Sequence, residues 1–324
     1  MGILDGKVAI VTGSGQGVGF EIAKALAKEG AKIITNNRKP GSNLLSMEGS
    51  TLEITEDERQ KLQSCTGDAK TAADYINNNG GTAVPFFGDV KDNDVAKACV
   101  KSAIDNFGRI DILINNAAST WNGSIEIMTE KEWHILIDSK LNGSFNMVQH
   151  ALPYMLEQKY GRIINASSDG WLGLTGLSAY GAACAGIWSF TRAIAQDLAG
   201  TGVTANAYTP NAKTRSWVST VAKCRSQGIP EEALVKAAPE SMKYTADVFA
   251  AFFAYLASDL ATNINGYMFK TAADGQLGVW SEPEVIDDIW TDEIGKPWTM
   301  EELIAKVPNM ISDEEPRMST IDLK

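Results

Sequence analysis

The chain has 324 residues, 44% of them hydrophobic, and a formal net charge of −11. That length suits one large α/β domain with an extension, or two modest domains, and the apolar fraction is that of a globular protein. The charge argues against nonspecific binding to nucleic-acid backbones, and no 18-residue apolar run marks a membrane span.

The opening MGILDGKVAIVTGSG has no basic segment followed by a cleavable apolar stretch, so no secretory signal is expected. Residue 6 is Gly rather than Ser or Thr, against N-myristoylation. Cys65, Cys99, Cys184 and Cys224 show no CxxC spacing, and His134 and His150 are the only histidines. A disulfide framework or a metal centre is therefore disfavoured, and a reducing cytoplasm is expected.

In chain order, KVAIVTG (7–13) reads as a strand running into TGSGQGVG (12–19), then a helix over 18–31 closed by Gly30. AKIITNN (31–37) is a second strand. Residues 38–67 are a polar insertion in which Thr55 and Glu58 suit a capping box. TAVPFFGD (82–89) is a strand, followed by a helix over 92–108 capped by Asp92 or Asn93. IDILINNA (110–117) is a strand, residues 132–158 one long helix, and GRIINASS (161–168) a strand before a helix containing Tyr180. VTANAYTP (203–210) and YMFKTAAD (267–274) supply the last strands. This alternation predicts a doubly wound, three-layer parallel sheet of Rossmann type spanning residues 1–280. Residues 281–324 hold twelve acidic and four basic side chains with Trp290 and Trp298, and form a C-terminal extension expected to wrap the domain or a partner. Its PWTMEEL segment suits a Pro-led turn feeding a short helix.

The glycine cluster sits between strand and helix. Gly13, Gly17 and Gly19 allow a tight turn, close phosphate approach and close helix packing, while the helix N-terminus favours a pyrophosphate. At the end of the second strand Asn37, Arg38 and Lys39 replace the carboxylate that would bind both ribose hydroxyls of NAD. Arg38 can pair with a 2′-phosphate, or belong to a solvated basic turn. NADP is favoured and NAD stays open.

These marks, with Asp89–Val90, NNAA (115–118), Ser167 thirteen residues before Tyr180, and Pro210, resemble the short-chain dehydrogenase/reductase family over about residues 5–275. LNGSFNMVQHALPYM, KYGRIINAS and PNAKTR are further similar to the (3R)-hydroxyacyl-CoA dehydrogenase region of a peroxisomal multifunctional enzyme. The resemblance implies that Gly13, Gly17, Val18, Gly19, Asn37, Arg38, Asp89, Val90, Asn116, Ala117 and Pro210 hold NAD(P). It implies that Ser167 binds a substrate oxygen and that Tyr180 transfers the proton. It also implies a lysine four residues after Tyr180, where this chain has Cys184, and a fourth position, usually Asn, that falls on Lys140. The expectation is therefore a site that departs from its family at the lysine.

Tyrosine ionises near pH 10, so it needs a nearby cation to accept protons at neutral pH. Lys140 can supply that cation from another helix, or snorkel to solvent. Cys184 can be a nucleophile activated by Lys140, or a small buried filler. Asp169 either enters the pocket or lies on the loop surface. Residues 211–240, with Trp217, suit a substrate cover. The leading function is an NAD(P)-dependent oxidoreductase interconverting a carbonyl and a secondary alcohol on a small molecule, with a CoA thioester among the candidates. Two alternatives stand beside it: a noncatalytic subunit paired with an active paralogue, and a nonredox dehydratase or lyase using the Ser–Tyr pair. Association with itself or with a paralogue is expected.

Overall fold

The computed structural model describes residues 2–41, 67–119, 124–226, 238–282 and 297–310, with isolated positions between them. Glu58, and with it the capping box expected in the 38–67 insertion, lies outside the described residues.

Seven parallel strands and one antiparallel edge strand form a single sheet. They are β1 (Val8–Val11), β2 (Lys32–Asn37), β3 (Thr82–Phe87), β4 (Ile112–Asn115), β5 (Gly161–Ala166), β6 (Val203–Asn211), β7 (Met268–Ala272) and β8 (Leu277–Val279), in the order β3-β2-β1-β4-β5-β6-β7-β8. The central β1, β4 and β5 are buried at every residue, whereas the edge strands β3 and β8 are partly exposed. Such continuous burial requires apolar cover on both faces.

Helices supply it. On one face α1 (Gly17–Lys28), α2 (Ala69–Asn78) and the later helix Asp247–Leu256 bring Ile22, Leu26, Ile76 and Phe253 against Val11, Ile33 and Ile114. On the other, α3 (Asn93–Phe107) and the helix Gly143–Gln158 bring Val100, Ala103, Met147 and Met155 against Val8, Ile10 and Leu113. This is the three-layer Rossmann arrangement read from the alternation. Asp92 is the cap of α3, its carboxylate accepting from the amides of Asp94 at 3.0 Å and Val95 at 3.3 Å. Gly108 closes that helix at φ 78°, in the left-handed region glycine enters without strain.

The stretch expected as one helix over 132–158 is broken. It forms α4 (Glu130–Ile137), a π-helical turn (Asp138–Asn142) and α5 (Gly143–Gln158). The remaining helices are α6 (Ser178–Asp197), α7 (Arg215–Ser226), α8 (Asp247–Leu256) and, in the C-terminal extension, α9 (Met300–Met310). Thr299 and Glu302 cap α9 reciprocally: the Thr299 amide donates to Glu302 at 2.8 Å and the Glu302 amide to Thr299 Oγ1 at 3.2 Å. Among the described residues no helix is long and apolar enough to cross a membrane.

Candidate active site

Strand order reverses at β1: β2 and β3 lie to one side, β4 and the later strands to the other. Ligands of open parallel sheets bind beyond the carboxyl ends of the strands at such a switch point. Every expected site residue except Tyr180 and Lys140 lies at that edge. Gly13, Gly17, Val18 and Gly19 follow β1; Asn37 and Arg38 close β2; Asp89 and Val90 follow β3; Asn116 and Ala117 follow β4; Ser167 follows β5; Pro210 stands near the end of β6.

Gly13 (φ 65°) and Gly17 (φ 55°) adopt backbone that other residues rarely enter. Space demands two more glycines: a Cβ on Gly15 would collide with Asn37 Oδ1, and one on Gly19 would come within 2.5 Å of Asn116 Nδ2. Thr12 Oγ1 accepts from the amides of Asn116 (2.9 Å) and Ala117 (3.0 Å), while Asn116 Nδ2 donates to the Thr12 carbonyl at 3.1 Å. The buried Tyr208 hydroxyl donates to Asn116 Oδ1 at 3.0 Å. These bonds tie the end of β4 to the glycine turn. Sequence reading named Asn116 but missed Thr12, whose place at the strand–turn junction was the available signal, and Tyr208, which only the pairing of β6 brings near.

A nicotinamide nucleotide fits this cradle. Among the described residues the N-terminus of α1 has no side-chain cap hydrogen bond, leaving amides for an anion, and Asn37 Oδ1 beside Gly15 is buried without a partner. Arg38 is exposed. Asp89 instead turns to Lys91, 3.7 Å away, and Val90 is buried, its carbonyl accepting from Asn146 at 3.2 Å. Pro210 pairs with Thr271 across β6 and β7. Thr214, just before α7, lies 3.7 Å from the position of a Cβ on Gly17, so the expected cover begins over the glycine turn, with Trp217 half-buried inside α7.

At the head of α6 four groups meet. The Ser167 hydroxyl, 1% exposed, donates to the Cys184 carbonyl at 2.9 Å. Lys140, 2% exposed, donates from Nζ to the Ser167 carbonyl at 3.3 Å and stands 5.3 Å from the Tyr180 ring centre. Burial raises the pKa of Tyr180, Lys140 draws it down, Cys184 pushes it up, and a hydrogen bond with Ser168 lowers it again. Burial also raises Cys184, with Lys140 and bonds to Tyr180 and Ser167 opposing it. A fully buried thiol above its ordinary range is a poor nucleophile, so geometry favours the filler reading of Cys184.

The expected departure at the lysine is corrected here. Cys184 does stand one turn after Tyr180, but the place of the lysine beside Tyr180 is filled in space by Lys140. The π turn carries one residue more than an α-helical turn would and brings position 140 inward, where Ser144 Oγ donates to the Lys140 carbonyl at 2.7 Å. Chain order put the cation on the wrong helix.

The fold and this site define the class, and the chain belongs to the short chain dehydrogenase family, which matches at residues 7–48 and 60–222. It is 33% identical to the 3-oxoacyl-[acyl-carrier-protein] reductase FabG of Staphylococcus aureus over 80% of this chain and 94% of that one. It is 33% identical to a D-beta-hydroxybutyrate dehydrogenase of Cupriavidus necator, covering 83% and 97%. A crystal structure of a short chain dehydrogenase from Mycobacterium avium superposes with a TM-score of 0.73 at 28% identity, over 96% of each chain. With these relatives the narrower likeness to a (3R)-hydroxyacyl-CoA dehydrogenase region gives way to the family as a whole. The chain is an enzyme, an NAD(P)-dependent oxidoreductase of this family; the noncatalytic and nonredox alternatives are set aside.

Proposed function

We propose that this enzyme interconverts a carbonyl and a secondary alcohol, with Ser167 binding the oxygen, Tyr180 moving the proton and Lys140 supplying the cation. The observation that carries the reading is the buried Lys140 ammonium 5.3 Å from the Tyr180 ring. When bound, a nicotinamide nucleotide supplies or accepts the hydride. Ser167 must turn from the Cys184 carbonyl to donate to the substrate oxygen, leaving Tyr180 to donate its proton in reduction or to accept one in oxidation. Lys140 favours the phenolate left after donation, an electrostatic contribution that grows in a dry site. Relatives named for 3-oxoacyl and hydroxybutyrate substrates support an acyl compound, and a 32% identical relative named as a (2S)-[(R)-hydroxy(phenyl)methyl]succinyl-CoA dehydrogenase subunit of Thauera aromatica supports a CoA thioester among the options. The exposed Arg38 at the end of β2 supports NADP over NAD. We further propose a cytoplasmic enzyme that associates with itself or with a paralogue, as its family resemblance implies.

Direct titration with NADPH and NADH, followed by turnover assays on carbonyl compounds, tests this reading. Tight NADPH binding and oxidation with loss of kcat by about 10²-fold or more in Tyr180→Phe are expected. Unchanged turnover in Tyr180→Phe would refute it.

A further inference from the structure

Asp169 opens the 3-10 turn Asp169–Leu172, two residues beyond Ser167. That turn is locked to the head of α6 through two glycines. A Cβ on Gly170 would lie 3.2 Å from Tyr180 Cδ1, and one on Gly181 only 2.6 Å from the Gly170 carbonyl oxygen. The Ser168 hydroxyl accepts from the Gly170 amide at 3.3 Å and fixes the turn's entry. Asp169 therefore stands at a set place between the oxygen-binding Ser167 and the segment resting on the Tyr180 ring.

Its carboxylate has an unmet need. Oδ1 is buried and has no hydrogen-bond partner among the described residues, although an ionised carboxylate offers only acceptors and loses heavily when desolvated without a donor. Two other buried orphans lie close in sequence or packing, the indole nitrogens of Trp171 and Trp188. Those rings meet perpendicularly at 4.5 Å, and Trp171 meets Trp280 likewise at 5.5 Å, an arrangement that gives N–H edges aromatic faces to approach. Asp169 has no such substitute. Its charge also reaches the cluster, acting to raise the Cys184 thiol.

We infer that Asp169 is a specificity-determining residue, whose carboxylate receives a hydrogen bond from an O–H or N–H donor carried by the substrate next to its reacting carbonyl. The same negative charge turns away substrates with a carboxylate at that position. The inference rests on the reading of Ser167 and Tyr180 as the carbonyl-binding pair.

Three probes of matched size separate the possibilities: 1-hydroxy-2-butanone, 2-butanone and 2-oxobutanoate. Their affinities are measured by calorimetry on the full chain carrying Tyr180→Phe with reduced nucleotide bound, with and without Asp169→Asn or Asp169→Ser. The hydroxyketone should bind about tenfold or more tightly than the plain ketone, the range of a hydrogen bond to a charged group, with the oxo acid weakest. Both gaps should shrink in either Asp169 variant. Equal affinities, no binding of any probe, or a preference that persists in an Asp169 variant with unchanged Tm and nucleotide affinity would overturn the assignment. Turnover with Tyr180 intact tells the two readings apart. Asp169-dependent binding of the hydroxyketone without reduction would sink the redox reading alone, whereas reduction of all three probes alike, with or without Asp169, would sink this one alone.

Discussion

Lys140 is a buried ammonium whose one hydrogen bond among the described residues reaches the Ser167 carbonyl at 3.3 Å. Burying a charge with so little compensation costs several kcal/mol, and an apolar replacement of similar volume is often neutral or stabilising by roughly 1–4 kcal/mol. Lys140→Met should therefore lower kcat by about 10²-fold or more while leaving Tm unchanged or raised; a parallel fall in both would make the residue structural. The pH profile supplies a second test. Lys140 pulls down a Tyr180 pKa that burial holds up, so without it the rising limb of alcohol oxidation should move to higher pH in kcat/KM. Because the folded value lies above the unfolded one near 10, the neutral buried phenol contributes full stability at neutral pH and loses it as pH rises beyond that value. Cys184→Ala should cost about 1 kcal/mol of stability and change kcat by less than about threefold. A loss near 10²-fold would restore the nucleophile reading.

At the scale of elements, the π turn between α4 and α5 and the glycine contact between the 3-10 turn and α6 set the site. Gly181→Val places a Cβ 2.6 Å from the Gly170 carbonyl, so the heads of both elements must part. Denaturant titration should show a loss of about 1–3 kcal/mol, with kcat reduced and nucleotide affinity kept. Gly19→Val acts on the other half of the crevice, where its Cβ would meet Asn116 Nδ2 at 2.5 Å and the Gly13 carbonyl at 2.6 Å; nucleotide binding by fluorescence should be lost. The strands were legible because VAIV is apolar throughout and GRIINA carries the Ile163–Ile164 pair beside the small Gly161 and Ala166, as burial on both faces demands. The break at 138–142 was not, since a π turn leaves the apolar spacing of a helix nearly intact and is held by contacts of Lys140 and Ser144. Neither α2 nor α8 was singled out from the sequence, though Asp68 and Thr71 form a capping box at the first.

For the whole molecule, the chain leaves β8 beside the substrate side of the sheet. Trp280 Nε1 donates to Thr209 Oγ1 at 3.1 Å, its ring meets Trp171, and Glu282 pairs with Arg192 of α6 at 2.5 Å. We propose that the boundary between catalytic domain and extension falls at residue 280 and that the extension caps the substrate entrance rather than crossing a subunit boundary. A chain ending at Glu282 should keep its nucleotide affinity and show a raised KM for the carbonyl substrate. An unchanged KM would remove the extension from the site.

The sequence by itself determined the parallel sheet and the nucleotide crevice, because hydrophobic period and glycine placement are local properties that survive without tertiary contacts, while the Ser167–Tyr180 pair came from the family its motifs resemble. It also carried Lys140 and Cys184 as an unresolved pair. Only the tertiary structure decided between them: a cation acts through distance in space, and the inward turn at 138–142 sets Lys140 beside Tyr180 while Cys184 is fully buried. Asp169 shows the same division, since a carboxylate after a strand reads equally as surface or site until packing shows which of its oxygens has lost water and found no donor.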